Sequence, residues 1–275
     1  MIYIIMSTYN GADYVQQQLY SILAQTEQDW QLLIRDDGSS DGTMQILTAY
    51  AESRPDKIRI IDNGGQNVGV VRSFELLLEQ CSEADYVQLA DQDDVWKPDK
   101  LSKCLGRMKE AEDKYGTYCP LIVHCDLVVT DSSLNPIAPS FWQYANIHPE
   151  ILDHNAHYLA ICNSAQGCAA MINHAAVAAV LPFREGVYMH DAWIGLKVLV
   201  SGGHIIALPE ALMFYRQHDD NVIGAQAYRF RIDNLKEKLV LARQSYATGH
   251  PTVFHNKLHF LYWKTLYFIR LHLLS

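Results

Sequence analysis

A chain of 275 residues with 49% hydrophobic and 19% charged residues can bury a sizeable core, as one large domain or two close-packed halves, and is not a disordered segment. Its formal charge of −9 argues against a nucleic-acid partner. The six cysteines form no C-x-x-C pair, so reduced, mostly buried thiols in a cytoplasmic protein are expected. Neither a basic leader nor an apolar run of about 18 residues is present, so no secretory leader and no membrane span are expected.

Residues 1–6 have the composition of a buried strand, broken by turn residues at Ser7-Thr8-Tyr9-Asn10-Gly11. Tyr14, Val15, Leu19, Ile22 and Leu23 then recur at helical spacing. A second strand over 31–35 runs into Asp36-Asp37-Gly38-Ser39-Ser40-Asp41-Gly42-Thr43, where Asp41 caps a helix beginning near Thr43. A third strand over 57–61 leads to a loop containing Asn67 and Gly69, and a fourth over 86–90 ends at Asp91. Strands alternating with helices predict right-handed βαβ units and a parallel sheet. Ligands in such sheets bind outside the carboxyl ends of the strands, where these polar loops converge. Asp91 and Asp93 lie two apart and face one side if the backbone is extended. Two carboxylates on one face need a cation between them, and oxygen ligands suit Mg²⁺ or Mn²⁺ with a substrate diphosphate. The plain alternative is an acidic loop with Asp94 or Asp99 capping the next helix.

Four stretches, Ser7–Gly11, Asp36–Thr43, Asn67–Gly69 and Asp91–Pro98, resemble in order and spacing the nucleotide-sugar-binding half of a family 2 glycosyltransferase. Three more, Gln166–Asn173, His190–Trp193 and Tyr215–His218, resemble a bacterial branch that includes many rhamnosyltransferases. The resemblance covers residues 1–224. It implies the α/β GT-A fold: a Rossmann-like nucleotide-binding half over 1–100, an acceptor-binding half over 101–224, and a mixed central sheet. C-terminal helices fill 225–275.

The resemblance also implies roles. Thr8, Tyr9 and Asn10 contact the nucleotide base, and Asp37 accepts the base imide N–H, with Asp36 orienting that loop. Asn67 and Gly69 line the same cleft. Asp91 faces the ribose or a metal-bound water, and Asp93 is the metal ligand. Arg216 neutralises the leaving diphosphate, a role that suits the forked guanidinium. His218 completes the metal shell or touches the diphosphate. These enzymes invert the anomeric configuration in one displacement, which requires a carboxylate base on the acceptor side. Asp191 is that base, or else only the cap of a helix over 192–200 ended by Gly202-Gly203. Here the sequence reads His190-Asp191 where many relatives have Glu-Asp or Asp-Asp. The implied donor is dTDP-rhamnose or a UDP-sugar. The implied acceptor is a saccharide, polyprenyl-linked, in bacterial surface polysaccharide assembly.

Other residues carry weaker signals. His154 and His157 read as a surface helix rather than a zinc site. Asp126, in an apolar strand over 121–129, either faces the acceptor cleft or is satisfied within the sheet. Residues 131–149 read as a long aromatic loop in which Trp142 is a sugar-stacking platform or loop packing. The tail changes character: no acidic residue follows Glu237, while Lys238, Arg243, Lys257, Lys264 and Arg270 are basic among dense aromatic and aliphatic residues. On a helical wheel Lys257, Lys264 and His272 share one side, with His259 and Arg270 on another. Such a helix either lies at the inner face of the cell membrane or packs on the catalytic domain or a second subunit. Two other functions remain open at this point: a metal-dependent phosphohydrolase or nucleotidyltransferase, and a noncatalytic carbohydrate-binding scaffold.

Overall fold

The computed structural model describes residues 1–61, 64–219 and 235–272. The elements in chain order are β1 (Ile2–Thr8), α1 (Val15–Leu23), β2 (Trp30–Asp36), α2 (Thr43–Ser53), β3 (Ile58–Ile60), α3 (Val70–Glu79), β4 (Tyr86–Ala90), β5 (Val95–Trp96), α4 (Lys100–Tyr115) and β6 (Leu121–Thr130). There follow β7 (Pro136–Ala138), α5 (Phe141–Ala145), α6 (Pro149–Leu152), α7 (Ala156–Ile161), β8 (Ala170–Asn173), α8 (His174–Val180), α9 (His190–Val200), β9 (His204–Arg216), α10 (Leu235–Gly249) and α11 (Lys257–His272).

The strands form one mixed sheet in the order β3-β2-β1-β4-β8-β6-β9-β5, with β7 on β6. Strands β3, β2, β1 and β4 are parallel. Their centres, including Ile4, Ile5, Leu32, Leu33, Val87 and Leu89, are buried, as expected where helices cover both faces of a sheet. After β1 the chain adds β2 and β3 on one side and then returns to place β4 on the other. The switch point therefore lies between β1 and β4, and a crevice opens there beyond their carboxyl ends.

Two antiparallel neighbours complete the crevice. Strand β8 pairs with β4 so that Met171 faces Gln88, and the 3₁₀ turn Gly167–Ala169 before β8 therefore lies where β4 ends. The two-residue β5 pairs with the end of β9, matching Val95 to Phe214, which brings the Asp93–Asp94 turn beside Tyr215 and Arg216.

The long loop expected over 131–149 contains β7 and α5 instead. Phe141 and Trp142 are buried beneath it, so Trp142 presents no platform to a sugar. Asp126 accepts hydrogen bonds from the backbone N–H groups of Leu127 (2.8 Å) and Trp142 (3.2 Å), which satisfies it inside the sheet. His157 lies on α7, its ring stacked on Trp263 of α11 at 3.9 Å. α10 and α11 pack on α7 and α9 around a smaller core of Ala160, Leu196, Val253, Phe254 and Phe260. The expected boundary at 224/225 lies outside the described residues. Among the described residues, no helix is long and apolar enough to cross a membrane.

Candidate active site

A cleft of about 390 Å³ opens at the switch point, lined at one end by Thr8, Tyr9, Asp37 and Asn67, in the middle by Asp91–Asp93, and at the other end by Gln166–Cys168 and Met189–Asp191.

The first end is held by its own hydrogen bonds. Thr8 Oγ1 donates to Asp36 Oδ1 at 2.9 Å. Asp36 also accepts from the backbone N–H groups of Gly38 (3.1 Å) and Ser39 (2.8 Å) and from the Ser39 hydroxyl (2.6 Å). It therefore shapes its loop, which reverses at Gly38 with φ +84°. Asp37 accepts from Arg35 Nη1 at 2.6 Å and from the backbone N–H groups of Val68 and Gly69 at 2.8 Å each. The buried Arg35 also donates to Ser73 Oγ and to the Gln66 carbonyl. A carboxylate offers about four acceptor positions, so Asp37 keeps one for a ligand in the cleft. Asn10 sits elsewhere than expected. Its N–H donates to Ser39 Oγ and its Oδ1 accepts from Ser40 N–H, both at 2.8 Å, so it ties two loops together and does not line the cleft.

Sequence reasoning missed Gln92. Its side chain accepts from Tyr9 N–H (2.9 Å) and donates to Tyr9 O (3.0 Å), joining the ends of β1 and β4 as a strand would. Gly11 leaves room for that amide, because a Cβ there would lie 2.3 Å from Gln92 Oε1 and push the side chain off Tyr9.

The middle is carboxylate-rich. The turn after Ala90 is not extended. Asp91 groups with Asp94 and Cys168, whose ligand atoms lie within 4.8 Å of one another, while Asp93 reaches the other way to His218, Oδ2 to Nε2 2.8 Å. Burial, then the neighbouring Asp93 and Asp191 charges, pushes Asp91 up to about 7. Burial, then the Asp93 and Asp91 charges, holds Asp94 well above the usual carboxylate range. Asp94 is fully buried, accepts from Arg216 N–H at 3.2 Å through Oδ1, and has no hydrogen-bond partner for Oδ2.

Arg216 and His218 are both drawn to the Asp93 loop. Arg216 is buried; its guanidinium donates to the carbonyls of Asp93 (2.7 Å) and Ser132 (2.6 Å) and to Gln17 Oε1, and lies 4.9 Å above the Tyr14 ring. Neither residue lines the cleft. The guanidinium knits β9 to the Asp93 loop, and His218, stacked on Tyr14, stands behind the Asp93 carboxylate.

At the far end Asp191 lies in the first turn of α9, with Met189 rather than Asp191 as the N-cap. Its Oδ1 accepts from Ala192 N–H at 2.7 Å and its Oδ2 from Gly167 N–H at 3.1 Å. Beside it the buried His190 ring stacks on Phe74 at 3.9 Å.

A cleft of this build invites comparison with known proteins. Residues 3–176 match the family model of glycosyl transferase family 2. The chain belongs to that family. The match spans the sheet from β1 into α8 and so includes the loops that line the first end and middle of the cleft. A dTDP-rhamnosyl transferase of Shigella flexneri is 33% identical over 102 residues, 36% of this chain and 35% of that protein. The fold is that of GT-A glycosyltransferases. The S. aureus TarS fragment 1–349 in complex with UDP-GlcNAc superposes with a TM-score of 0.61 at 16% identity, over 88% of this chain and 66% of that one. A mannosyltransferase from Pyrobaculum calidifontis in complex with GDP-Man and Mn²⁺ gives 0.61 at 17% identity, over 80% and 58%. The alignments span 30 to 66% of the lengths of the curated relatives, so this family 2 domain corresponds to part of each.

Proposed function

We propose that this family 2 protein is an inverting glycosyltransferase that moves a sugar from dTDP-rhamnose, or failing that a UDP-sugar, to a saccharide acceptor on a polyprenyl lipid. Its place is bacterial surface polysaccharide assembly, and its cofactor is Mn²⁺ or Mg²⁺. The observation that carries the reading is a single cleft joining Asp37 to Asp91 and Asp93 and then to Asp191. The named activity of the Shigella relative supports the choice of donor.

In this reading Asp37 takes the imide N–H of uracil or thymine at its remaining acceptor position. Thr8, Tyr9 and Asn67 enclose the base and ribose, while Asn10 and Arg216 act by holding the loops. The donor set fits a hard divalent ion. Asp91 and Asp93 face the cleft, and burial and then the Asp93 and Asp191 charges raise the proton affinity of Asp91. Cys168 stands beside them, but burial pushes its thiol well up, which keeps it protonated and favours an oxygen-bound ion over a thiolate-bound one. Asp91 and Asp93 would hold the ion, and His218 would orient Asp93. When bound, the ion supplies positive charge to the departing diphosphate.

Asp191, its two oxygens fixed by Ala192 and Gly167, takes the proton of the acceptor hydroxyl. That oxygen bonds to the anomeric carbon as the bond to the diphosphate breaks on the opposite face. The test is release of dTDP or UDP from sugar donors with Mn²⁺ and with excess chelator, in wild type and Asp93→Asn. Activity should need the ion, and the variant should lose most of it, because an amide is a poorer ligand. Full activity in chelator, or in the variant, overturns the metal assignment.

The membrane part of the proposal rests on α11. Leu258, Leu261, Tyr262, Phe268 and Ile269 form an exposed stripe opposite the buried Phe260, Tyr267 and Leu271. A helix apolar on both faces needs a second cover. Lys257, Lys264 and Arg270 flank the stripe, so an anionic lipid surface suits it, each basic residue contributing about 1 kcal/mol. Binding to anionic vesicles should fall with salt and vanish in the Leu258→Glu/Leu261→Glu variant. If wild type ignores such vesicles and the variant instead splits a dimer, the stripe is a subunit interface.

A further inference from the structure

Helix α3 is held at its start by the loop around Asp37. The N–H groups of Val68 and Gly69, which lead into it, donate to Asp37, and Ser73 Oγ accepts from the same Arg35 that donates to Asp37. One turn on, α3 meets the chain that delivers Asp191. Phe74 stacks on the His190 ring, centroids 3.9 Å apart. Beside it Glu75 accepts from the backbone N–H of Phe183 at 2.7 Å through Oε1, and its Oε2 pairs with Arg72 at 2.7 Å. Phe183 lies in the stretch 181–189 between α8 and α9, which is neither helix nor strand and ends two residues before Asp191. At about 1.5 Å of rise per residue, Gly69 and Glu75 stand roughly 9 Å apart along the helix axis. Less than two turns of α3 thus link the Asp37 loop to the segment before Asp191.

We propose that Glu75 is a positioning residue for the transfer: it holds the 181–189 segment against α3 and so sets where the Asp191 carboxylate stands relative to a nucleotide seated at Asp37. This rests on the reading of Asp191 as the base and adds a residue that acts through it. Glu75 is 8% exposed and does not line the cleft, so it touches no substrate. Its bond to Phe183 is not needed to rescue a stranded donor. Phe183 is half-buried and its neighbours Pro182, Glu185 and Gly186 are exposed, so water has access to this stretch of backbone. A carboxylate drawn out of water to hold that N–H instead fixes a position, by a charge-assisted bond about twice as strong as a neutral one. The Phe74–His190 stack alone would let the two elements slide, whereas a bond from one atom to one atom sets their register. Register matters for a base, which must come within hydrogen-bond reach of the attacking hydroxyl. A misplacement of about 1 Å can cost about a hundredfold in rate.

The test follows release of dTDP or UDP, with Mn²⁺ present, from whichever of dTDP-rhamnose, UDP-glucose and UDP-GlcNAc wild type hydrolyses fastest. Water then takes the place of the acceptor hydroxyl and gives its proton to Asp191. Glu75→Leu fills the space and removes the acceptor atom, whereas Glu75→Gln keeps an oxygen for the Phe183 N–H. Glu75→Leu should lower kcat about ten- to a hundredfold. It should leave donor affinity, measured by calorimetry, within about twofold, and Glu75→Gln should recover most of the lost rate. Combination with Asp191→Asn shows whether Glu75 acts through Asp191. Residues that act as a unit are not additive, so Glu75→Leu should slow Asp191→Asn by less than about twofold. Losses that multiply in full would overturn the inference. So would an unchanged kcat in Glu75→Leu, a fall in donor affinity equal to the fall in kcat, or a Gln variant no better than Leu. If the residual rate of Asp191→Asn is too low to measure, the single variants decide. If Glu75→Leu does not fold, Glu75→Ala takes its place, and if neither folds, Glu75 serves folding alone and the inference falls. An Asp191→Asn protein as active as wild type would overturn the base reading and the inference with it. A normal kcat in Glu75→Leu beside a crippled Asp191→Asn would overturn the inference alone. If wild type hydrolyses none of the donors, the donor reading of the cleft falls first.

Discussion

The two ends of the cleft are built in opposite ways. At the Asp37 end the polar groups meet one another: Asp36 takes four donors from its own loop and Thr8, and Asp37 takes three from Arg35, Val68 and Gly69. Beyond it Asp94 has an unmet oxygen and Asp91 is pushed up to about 7 by burial and like charge in the middle, and at the other end both His190 ring nitrogens are buried without a hydrogen bond. The first end is a finished shape, its carboxylates answered by protein donors. The rest of the cleft instead leaves buried polar atoms unmet and sets like charges close together, as sites with perturbed acids do. Stability and function should therefore separate along the cleft.

The largest expected effect is at the open end. Asp191→Asn should reduce transfer by about 10²–10⁴, the usual cost of losing a general base. Donor affinity and melting temperature should change little, since an amide oxygen can still accept from Ala192 or Gly167. A variant that loses donor binding instead would make Asp191 a donor ligand, and the contrast between the ends would not hold there.

At the finished end the effect should fall on stability. Arg35 and Asp37 are 2% and 5% exposed, and removing the guanidinium leaves a buried carboxylate. Arg35→Met should lower unfolding free energy by about 3 kcal/mol, near the low end for a broken buried pair, because Val68 and Gly69 still donate. Urea denaturation measures this, and a loss under about 1 kcal/mol would show that the pair is not what holds the loop. Nucleotide affinity should fall with it, since Arg35 also anchors the Gln66 carbonyl.

How much of this is legible in sequence depends on range. Strand β4 is found over 86–90 as read, because an apolar run meeting Asp91 is a local signal. The loops at Thr8, Asp37 and Asn67 are legible for the same reason. Strand β5 is not: two residues, Val95 and Trp96, are a strand only because Phe214 and Met213 lie beside them. Arg216 has the chemistry for a diphosphate, yet Gln17, Ser132 and Asp93 claim it, partners 199, 84 and 123 residues away that no spacing reveals. For Trp142 the sequence leaves sugar stacking and loop packing open, since an aromatic ring in a loop looks the same whether it packs inward or outward, and the structure shows packing. The one departure from family pattern visible in sequence, His190 before Asp191, does mark an unmet side chain in the structure.

The smallest expected effect sharpens the comparison most, because it separates two adjacent acids. Asp94 lies fully buried between the ends, with burial and the Asp93 and Asp91 charges raising its proton affinity well above the ordinary range. Burial and like charge thus favour its neutral acid in metal-free protein, and Asn copies the shape of that acid and keeps an oxygen for the Arg216 N–H. Asp94→Asn should change stability at pH 6 by no more than about 1 kcal/mol. The pH dependence should change more. A folded-state pKa raised above the unfolded value means that the native chain holds a proton the unfolded chain has released. Stability from that group is full below the unfolded pKa and lost as pH rises, by up to about 1.4 kcal/mol per pH unit per proton. Melting of metal-free wild type should thus fall between pH 5 and 8, and fall less steeply in Asp94→Asn, with the slope due to Asp91 remaining. Superimposable profiles would mean that Asp94 is ionised throughout and that the buried oxygen is already answered by charge.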